Sequence, residues 1–318
     1  MDRQLSLEFA RITEQAALKS ARLVGLGDKE GADQAAVDGM HEQFALTPVS
    51  GTVVIGEGEI DEAPMLYIGE HVGQGGEEVD IAVDPVEGTN LVAKGKNGAI
   101  AVLAIAPKGC LLHAPDMYMQ KICVGPRAKG RIDIRASVTE NLKNVADAMG
   151  REVSDLTMVI LDRERHEKII REAGARVYLI TDGDVVPSVD CGIQGSGIHM
   201  VMGSGGAPEG VLSAVGLKCL GGDMQARLLP QTEQEIQRLH TMGIDDPNKV
   251  LTLDDLVKGD DCIFAETAIT DCAMLRGVRF FGGGARTSTL VLRYKTGTVR
   301  FIDTVHRFGE DKPGVRMF

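Results

Sequence analysis

The sequence contains no tryptophan, and aromatic residues make up only 4% of it. Platforms that stack the bases of single-stranded nucleic acid are therefore disfavoured. Positive charge is also scarce, since 34 Lys and Arg residues against 46 Asp and Glu residues give a formal net charge of −12. That charge would repel nucleic acid and anionic membranes, so we expect neither as a partner. An anionic small molecule stays possible, because bound metal cations can invert the charge locally.

Cysteine pairs and long apolar runs are missing as well. The six cysteines include no CxxC pair, which in a chain of 318 residues is typical of reduced thiols. The stretch MDRQLSLEFARITEQ at the start carries charges where a signal peptide needs an apolar run. The cleanest apolar run, 99–106, is too short to span a bilayer. We therefore expect a cytoplasmic protein.

Two common hydrolase signatures are absent. No serine lies in a GxSxG sequence, and the seven histidines form no HExxH pair. Chemistry with a serine nucleophile and hydrolysis by zinc are therefore poorly supported. What the chain does contain is 43% apolar and 25% charged residues, which is typical of a soluble globular protein of one large or two medium domains.

The spacing of apolar residues predicts an α/β fold of layered helices and sheets. In the first part of the chain it predicts helices over 5–24 and 33–45, and Gly25 and Gly27 end the first of them. Strands are expected over 52–55, 79–83 and 99–106. Ser137 and Glu140 have the spacing of a capping box, which predicts a helix that begins there and ends at Met149.

The order of predicted elements changes near residue 150, where strands and helices begin to alternate. A strand over 157–161, a helix over 164–173 and a strand over 176–180 form a βαβ unit, which implies parallel strands. The pattern continues with a strand over 198–202, a glycine loop over 203–206, a helix over 208–220 and a terminal hairpin around Thr296 and Gly297. We therefore predict two domains, 1–150 and 151–318.

The strongest local signal is the segment VDIAVDPVEGTN. An apolar strand delivers Asp84 at its end, Pro85 stops the ladder, and Glu87 follows within reach of the same point. Gly88 permits close approach of a ligand, and Thr89 opens a helix whose free N–H groups suit a phosphate. The alternative is an ordinary turn in which Asp and Thr cap the helix.

A second acidic segment, IGEGEIDE, also follows a predicted strand. Its carboxylates would repel one another unless they are solvated or bound to cations, and a solvated acidic loop is the plainer alternative. Two acidic strand ends in one half of the chain favour the cation, and hard oxygen ligands select Mg²⁺ or Mn²⁺. The carboxylates of this segment are Glu57, Glu59, Asp61 and Glu62.

Three weaker candidates lie in the second half. Asp182 and Asp184 follow a strand, where open α/β sheets bind ligands, although a simple Asp-Gly turn is an equal alternative. Arg163 and Arg165 at another strand end could clamp a phosphate or form surface ion pairs. The glycines of 203–206 could cradle a phosphate or make a tight turn, and they match neither a P-loop nor a GxGxxG fingerprint.

Taken together, these motifs resemble a known family. The DPVEGT segment after the GEGE loop resembles the metal-dependent, lithium-sensitive sugar and inositol phosphatase superfamily. More narrowly, the chain resembles the class II fructose-1,6-bisphosphatases almost from end to end. The segments that carry this resemblance are GDKEGADQAAVDGM, VVIGEGEIDEAPMLYIGE, VDPVEGTNLVAKGKNG, APDMYM, TDGDV, GGAPEGVLSA, KCLGG and GTVRFIDTVH.

The resemblance implies a role for each site residue. The metal ligands would be Asp33, Glu57, Asp84, Glu87 and Glu209. Asp61 and Thr89 would activate the attacking water, and Lys29 would touch phosphate. The substrate-binding residues would be Glu87, Gly88, Thr89, Tyr118, Arg163, Glu164, Arg165, Asp182, Gly183, Asp184 and Gly206. Within that set, Arg165 and Tyr118 suit the remote phosphate, and the two aspartates suit sugar hydroxyls.

The resemblance implies hydrolysis of fructose-1,6-bisphosphate to fructose 6-phosphate and phosphate, a step of gluconeogenesis. It also implies Mn²⁺ or Mg²⁺ as cofactor and a homo-oligomer, either a dimer or a tetramer. The site would lie between the two halves, with metal and phosphate binding in 1–150 and substrate binding in 151–318. The nearest alternative is a bifunctional enzyme that also accepts sedoheptulose-1,7-bisphosphate. An inositol or nucleotide phosphatase and a non-catalytic sugar-phosphate sensor are weaker alternatives. Pro187 and Glu266 depart from the family pattern and leave local loop geometry and subunit contacts open.

Overall fold

The computed structural model describes residues 1–2, 4–58, 64–241, 244–246 and 248–308 and confirms the predicted α/β fold. The helices are α1 Leu5–Ser20, α2 Lys29–Phe44, α3 Thr89–Ala93, α4 Val138–Met149, α5 Glu167–Glu172, α6 Val185–Asp190, α7 Ala207–Leu220, α8 Glu233–Thr241 and α9 Leu253–Leu256. The strands are β1 Val49–Ile55, β2 His71–Val72, β3 Glu77–Glu87, β4 Ile100–Pro107, β5 Tyr118–Val124, β6 Thr157–Leu161, β7 Arg176–Ile180, β8 Met200–Gly206, β9 Asp223–Leu228, β10 Leu251–Thr252, β11 Ile263–Ala268, β12 Arg279–Phe281, β13 Gly284–Arg293 and β14 Thr298–Arg307.

The chain forms two compact units. Their boundaries differ from the domain boundary that was predicted near residue 150. The first unit combines Met1–Lys108 with Ile263–Phe318, and the second is Gly109–Cys262. The reason is that the last strands return to the first sheet, where β11 pairs antiparallel with β4. The division of roles between 1–150 and 151–318 stays a prediction.

The first unit is built on a mixed sheet of eight strands in the order β12-β13-β11-β4-β3-β1-β2, with β14 beside β13. Only β1 and β3 pair in parallel among the strands described there. Helix α1 covers one face, as its apolar spacing predicted. Leu5, Phe9 and Ile12 are buried in the core against strand residues such as Leu103 and Val291. Burial of a side chain of this size contributes about 1.5–3 kcal/mol.

The second unit is built on a sheet of six strands in the order β10-β9-β5-β8-β6-β7. The predicted βαβ unit is confirmed, because β6 and β7 are parallel and Met158 pairs with Val177. The predicted capping of α4 is also confirmed, since the Ser137 side chain accepts a hydrogen bond from the Glu140 amide at 3.2 Å. The connection in the βαβ unit is irregular, with a 3₁₀ turn over Glu164–His166 before the short α5.

Two local predictions were wrong. The glycines at 203–206 do not form a loop but belong to β8, where Gly203 and Gly206 pair with Lys121 and Tyr118 of β5. Glycine lowers strand propensity, but the hydrogen bonds to β5 override that local preference. Pro85 does not end the ladder either. It lies in an irregularity of β3 after Asp84, and pairing with β4 resumes at Glu87.

The two departures from the family pattern lie inside regular elements. Pro187 is in the first turn of α6, where its missing N–H removes no intrahelical hydrogen bond. Glu266 is 1% exposed in the middle of β11, opposite Val102 and Leu290. No helix in the described parts of the chain combines the length and the apolar character that crossing a membrane requires.

Asp190 is a buried carboxyl at the end of α6. It is 1% exposed, and neither side-chain oxygen has a hydrogen-bond partner within the described residues. Burial raises the pKa of this carboxyl to about 7 from its ordinary value of 3.8. The folded chain therefore holds the proton more tightly than the unfolded chain does.

We expect Asp190→Asn to stabilise the protein above pH 7 and to change little below pH 4. A raised folded pKa means that the wild type keeps its full stability below pH 3.8 and loses it progressively as pH rises towards 7. The shift corresponds to a loss of at most about 4 kcal/mol, less where water reaches the site. Urea unfolding at several pH values measures it. Asp147→Asn on the exposed side of α4 is the control, and equal effects in both variants would contradict the assignment.

Candidate active site

The first unit brings two predicted metal ligands together. Asp33 lies on α2, Glu57 is the second residue after β1, and their carboxyl groups share a hydrogen bond. Burial, together with the charge and the hydrogen bond of Asp33, raises the pKa of Glu57 to about 8. Burial also raises the pKa of Asp33, against the opposing effects of Glu57 and the Lys29 ammonium. Two carboxyl groups in this arrangement need a proton or a cation between them.

Local backbone structure explains why these two carboxyls meet. The Asp28 side chain accepts a hydrogen bond from the Gly31 amide at 2.9 Å, which starts α2 and places Asp33 one turn later. After β1 the chain folds back on itself, because the Glu57 amide donates to the Leu66 carbonyl at 3.0 Å. The remaining acidic residues of this loop, Glu59, Asp61 and Glu62, lie outside the described residues.

A second pair of predicted ligands lies on β3. One carboxylate oxygen of Asp84 and one of Glu87 lie within 4.8 Å of each other. The irregularity in β3 produces this proximity, and the Val86 amide donates to Asp84 Oδ1 at 3.0 Å inside it. Two hard oxygen donors at this spacing form a possible acidic site for a divalent cation.

The start of α3 follows immediately. Gly88, with φ 89° and ψ 44°, is the residue before the helix, so Thr89 is the first helical residue rather than the cap. A left-handed backbone at this point favours glycine, because a β-carbon would be strained there. The Thr89 hydroxyl donates to the Val86 carbonyl at 3.2 Å and so remains beside the Asp84 and Glu87 pair.

The second unit contains a buried ion pair that the sequence analysis did not identify. Lys121 of β5 is 1% exposed and donates to Asp184 Oδ1 at 2.7 Å. Burial acts to lower the pKa of the Lys121 ammonium, but Asp184 and Glu209 raise it above its ordinary value. The ion pair thereby fixes the position of the Asp184 carboxylate at the start of α6. The signal in the sequence was a lone lysine within the apolar strand segment MQKICV.

Glu209 lies in the first turn of α7, beside the same ion pair. Burial raises its pKa, Lys121 opposes that rise, and Asp184 adds to it. Its Oε2 atom is buried and has no hydrogen-bond partner among the residues described. A β-carbon on Gly206 would lie 1.8 Å from that oxygen, so a larger residue there would displace the Glu209 carboxylate. An orphaned carboxylate oxygen of this kind is what a metal ligand looks like without its cation.

Arg165 is held in a defined position by β8. Its Nε donates to the Ser204 hydroxyl and its Nη2 to the Ser204 carbonyl, both at 2.8 Å. The guanidinium lies 5.0 Å from the centre of the Tyr118 ring. His166 accepts a hydrogen bond from the Ser204 amide at 2.9 Å through Nε2, while its Nδ1 lies 2.7 Å from the Leu161 carbonyl. Ser204 and His166 therefore position Arg165, and neither residue was predicted.

The other predicted substrate residues have different surroundings. Arg163 donates to the Asp162 and Thr181 carbonyls at 2.8 and 2.9 Å and so joins the ends of β6 and β7. Glu164 is exposed in the turn before α5, and Asp182 and Gly183 precede the buried Asp184. The structure thus groups Tyr118 with Arg165, and Asp184 with Glu209, within the second unit. The roles of all these residues stay predictions.

Comparison with known proteins identifies the family of the chain. Residues 3–306 match the model of the family described as "Bacterial fructose-1,6-bisphosphatase, glpX-encoded". A protein of Synechococcus sp. strain JA-2-3B'a(2-13) is 50% identical over 100% of both chains and is named "D-fructose 1,6-bisphosphatase class 2/sedoheptulose 1,7-bisphosphatase". A protein of Crocosphaera subtropica with the same name is 48% identical over 96% of this chain and 97% of its own. The chain therefore belongs to the bacterial class II fructose-1,6-bisphosphatase family.

Proposed function

We propose that the protein removes the 1-phosphate of fructose-1,6-bisphosphate in a reaction that depends on Mn²⁺ or Mg²⁺. The observation that carries this proposal is the crowding of carboxyl groups at Asp33 with Glu57 and at Asp84 with Glu87. The hydrogen-bonded pair of Asp33 and Glu57 and the close pair of Asp84 and Glu87 both offer carboxylate oxygens to a divalent cation. Because the chain belongs to a phosphatase family, cations held by these carboxylates would act on a phosphate group.

The donor set fits Mg²⁺ or Mn²⁺, because it consists of carboxylate oxygens. Asp33 and Glu57 would hold one ion, Asp84 and Glu87 would hold others, and the family resemblance adds Glu209. When bound, the ions would neutralise these carboxylates, polarise the phosphoryl oxygens and favour ionisation of the attacking water.

The residues of the first unit would bind and orient the reacting phosphate. Gly88 and Thr89 present the first amides of α3 next to the Asp84 and Glu87 pair. The Thr89 hydroxyl would turn from the Val86 carbonyl to relay a proton from water to Asp61. Asp61 enters through the family resemblance, since it lies four residues beyond Glu57 in the sequence.

Residues of the second unit would bind the rest of the substrate. Arg165 uses Nε and Nη2 on Ser204, which leaves its Nη1 edge for the remote phosphate. Asp184, held in place by its ion pair with Lys121, would accept hydrogen bonds from sugar hydroxyls. Arg163, tied to two carbonyls, would contribute charge rather than a direct bidentate contact.

The second candidate is a bifunctional enzyme that also hydrolyses sedoheptulose-1,7-bisphosphate. It is favoured by the names of the relatives at 50% and 48% identity, which carry both substrates. Both bisphosphates present the same reacting end, so the residues described here fit either. Phosphate release from each substrate, compared as kcat/KM, distinguishes a single from a double specificity. A homo-oligomer stays part of the proposal.

We expect chelation to abolish phosphate release and Mg²⁺ or Mn²⁺ to restore it, because the crowded carboxylates need a cation to act on a phosphate. Glu57→Gln should lower kcat by orders of magnitude at saturating substrate and weaken metal binding in calorimetry. Glu42→Gln, an exposed residue on α2, is the matched control and should behave as the wild type. Full turnover in chelator-treated enzyme would exclude the metal-dependent mechanism.

Arg165→Ala should lower kcat/KM for fructose-1,6-bisphosphate by about 100-fold, because two charge-assisted hydrogen bonds to the remote phosphate are lost. Fructose 1-phosphate lacks that phosphate, so its slower hydrolysis should change little. Ser204→Ala should give a smaller loss with the same substrate dependence. Arg171→Ala on the surface of α5 is the control. An equal loss with both substrates would show that Arg165 does not bind the remote phosphate.

Asp61→Ala and Thr89→Ala should each lower kcat by about 10²–10⁴-fold with little change in KM, because positioned proton transfer contributes that much. The double variant should be barely worse than either single variant, since a relay fails when one member is lost. Rapid kinetics and metal titration of the three variants measure this. Near-normal kcat in folded Asp61→Ala would leave Asp61 as a loop residue without a catalytic role.

A further inference from the structure

Three arginines lie at one end of the sheet in the second unit, where β6, β7 and β8 begin and β5 ends. Arg127 follows β5, Arg151 follows α4, and Arg176 is the first residue of β7. None of the three guanidinium groups forms an ion pair within the described residues. Uncompensated positive charge in a chain with a net charge of −12 favours a bound anion.

His199 lies among these arginines, directly before β8, and is 7% exposed. Its Nδ1 accepts a hydrogen bond from the Thr157 amide at 2.9 Å, and its own amide donates to the Thr157 carbonyl at 3.0 Å. Because Nδ1 accepts, the proton of the neutral ring is on Nε2. Burial and the charges of Arg151, Arg176 and Arg127 lower the pKa of His199, which favours the neutral ring at pH 7.

Two hydrogen-bond donors therefore face each other at this point. Arg151 Nη1 lies 3.1 Å from His199 Nε2. A guanidinium carries only N–H donors and stays protonated, so neither nitrogen can accept a hydrogen bond from the other. Nε2 has no oxygen acceptor within the parts of the chain that the structure describes. An anionic oxygen beside the two nitrogens would accept from both and remove the conflict.

The other two arginines are held in place and keep further donors. Arg127 Nη2 donates to the Met149 carbonyl and Arg176 Nη2 donates to the Asp155 carbonyl, both at 2.6 Å. Each guanidinium has five N–H groups, so most of them stay available to a ligand. The carboxylates of Glu152 and Asp155 are exposed and form no ion pair among the described residues, so they do not take the place of a ligand.

This group of residues is remote from the predicted substrate residues of the second unit. Strand β6 begins at Thr157, beside His199, and ends at Leu161, shortly before Arg163 and Arg165. The length of the strand separates its two ends by about 13 Å. A ligand bound at His199 therefore does not occupy the position of the substrate.

A phosphate group is the anion that matches these donors. It carries close to two negative charges at pH 7 and at least three acceptor oxygens, whereas a carboxylate carries one charge and two oxygens. Guanidinium groups bind phosphate oxygens through paired N–H groups. We propose that the phosphate group of a small molecule binds at a second site, the arginine site, which consists of Arg127, Arg151, Arg176 and His199. Inorganic phosphate and a simple phosphate ester share this chemistry.

Arginine footprinting of the Mg²⁺-loaded enzyme tests the arginine site residue by residue. Phenylglyoxal modifies exposed guanidinium groups, and mass spectrometry of peptides gives the rate at each arginine. Inorganic phosphate at about 10 times its dissociation constant should slow the modification of Arg151 and Arg176 by about 10-fold. Sodium chloride of equal ionic strength and sodium acetate should not. Arg238, exposed on α8, is the internal control and should react at one rate throughout.

His199→Asn separates the proposed ligand contact from the support of the fold. The asparagine oxygen can still accept from the Thr157 amide, but the Nε2 donor is lost. The phosphate concentration that gives half-protection of Arg176 should rise by about 10-fold, and Arg151→Ala should have an effect of the same size. Arg238→Ala is the matched control and should leave that concentration unchanged. Circular dichroism checks that each variant is folded.

Glycerol 3-phosphate distinguishes the two sources of the phosphate group. Equal protection by this ester and by inorganic phosphate supports recognition of the phosphate group alone, and stronger protection by the ester supports an esterified ligand. Three results would overturn the proposal. They are protection by chloride or acetate equal to that by phosphate, no protection by either phosphate compound, and unchanged half-protection in folded Arg151→Ala and His199→Asn.

Discussion

Crowded carboxyl groups are the constraint on which the rest of this structure depends. Like charges about 4 Å apart repel by about 4 kcal/mol in the partly screened environment near a protein surface. Burial together with the charge of Asp33 raises the pKa of Glu57, whereas burial alone raises the pKa of Asp33. Such an arrangement survives in the folded chain only because rigid elements, α2 and β1, hold the two groups in place. The fold therefore stores an unfavourable interaction that a divalent cation would relieve.

The two units meet this constraint in different ways. In the second unit the protein supplies its own cation, because the Lys121 ammonium lies 2.7 Å from Asp184 and also attracts Glu209. Removing one member of a buried ion pair costs several kcal/mol, since the other charge is left unpaired. In the first unit, Lys29 affects Asp33 but does not prevent the rise in its pKa. The Lys121 ammonium fixes the position of the Asp184 carboxylate, whereas the Asp33 and Glu57 pair has no comparable cation of the protein among the described residues and leaves room for an exchangeable one.

Sequence reasoning predicted the elements whose signals are local. The Ser137 cap, the βαβ unit around α5 and the apolar face of α1 each depend on neighbours within a few residues, and the structure confirms them. Strand pairing depends on distant partners, so the return of β11 to β4 and the strand character of Gly203 and Gly206 were not visible. The same limit applies to the site. Carboxylates after strands could be recognised one by one, but Lys121 and Ser204 matter only through residues far away in the sequence.

The glycine content of 39 residues in 318 is partly a consequence of the same crowding. At Gly206, the Glu209 carboxylate occupies the space of a β-carbon, and at Gly88 the backbone takes a left-handed conformation before α3. A larger residue at Gly206 would move the carboxylate away from Lys121 and Asp184. Gly206 is the last residue of β8 and directly precedes α7, so the Glu209 carboxylate in the first turn of that helix can approach the end of the strand closely.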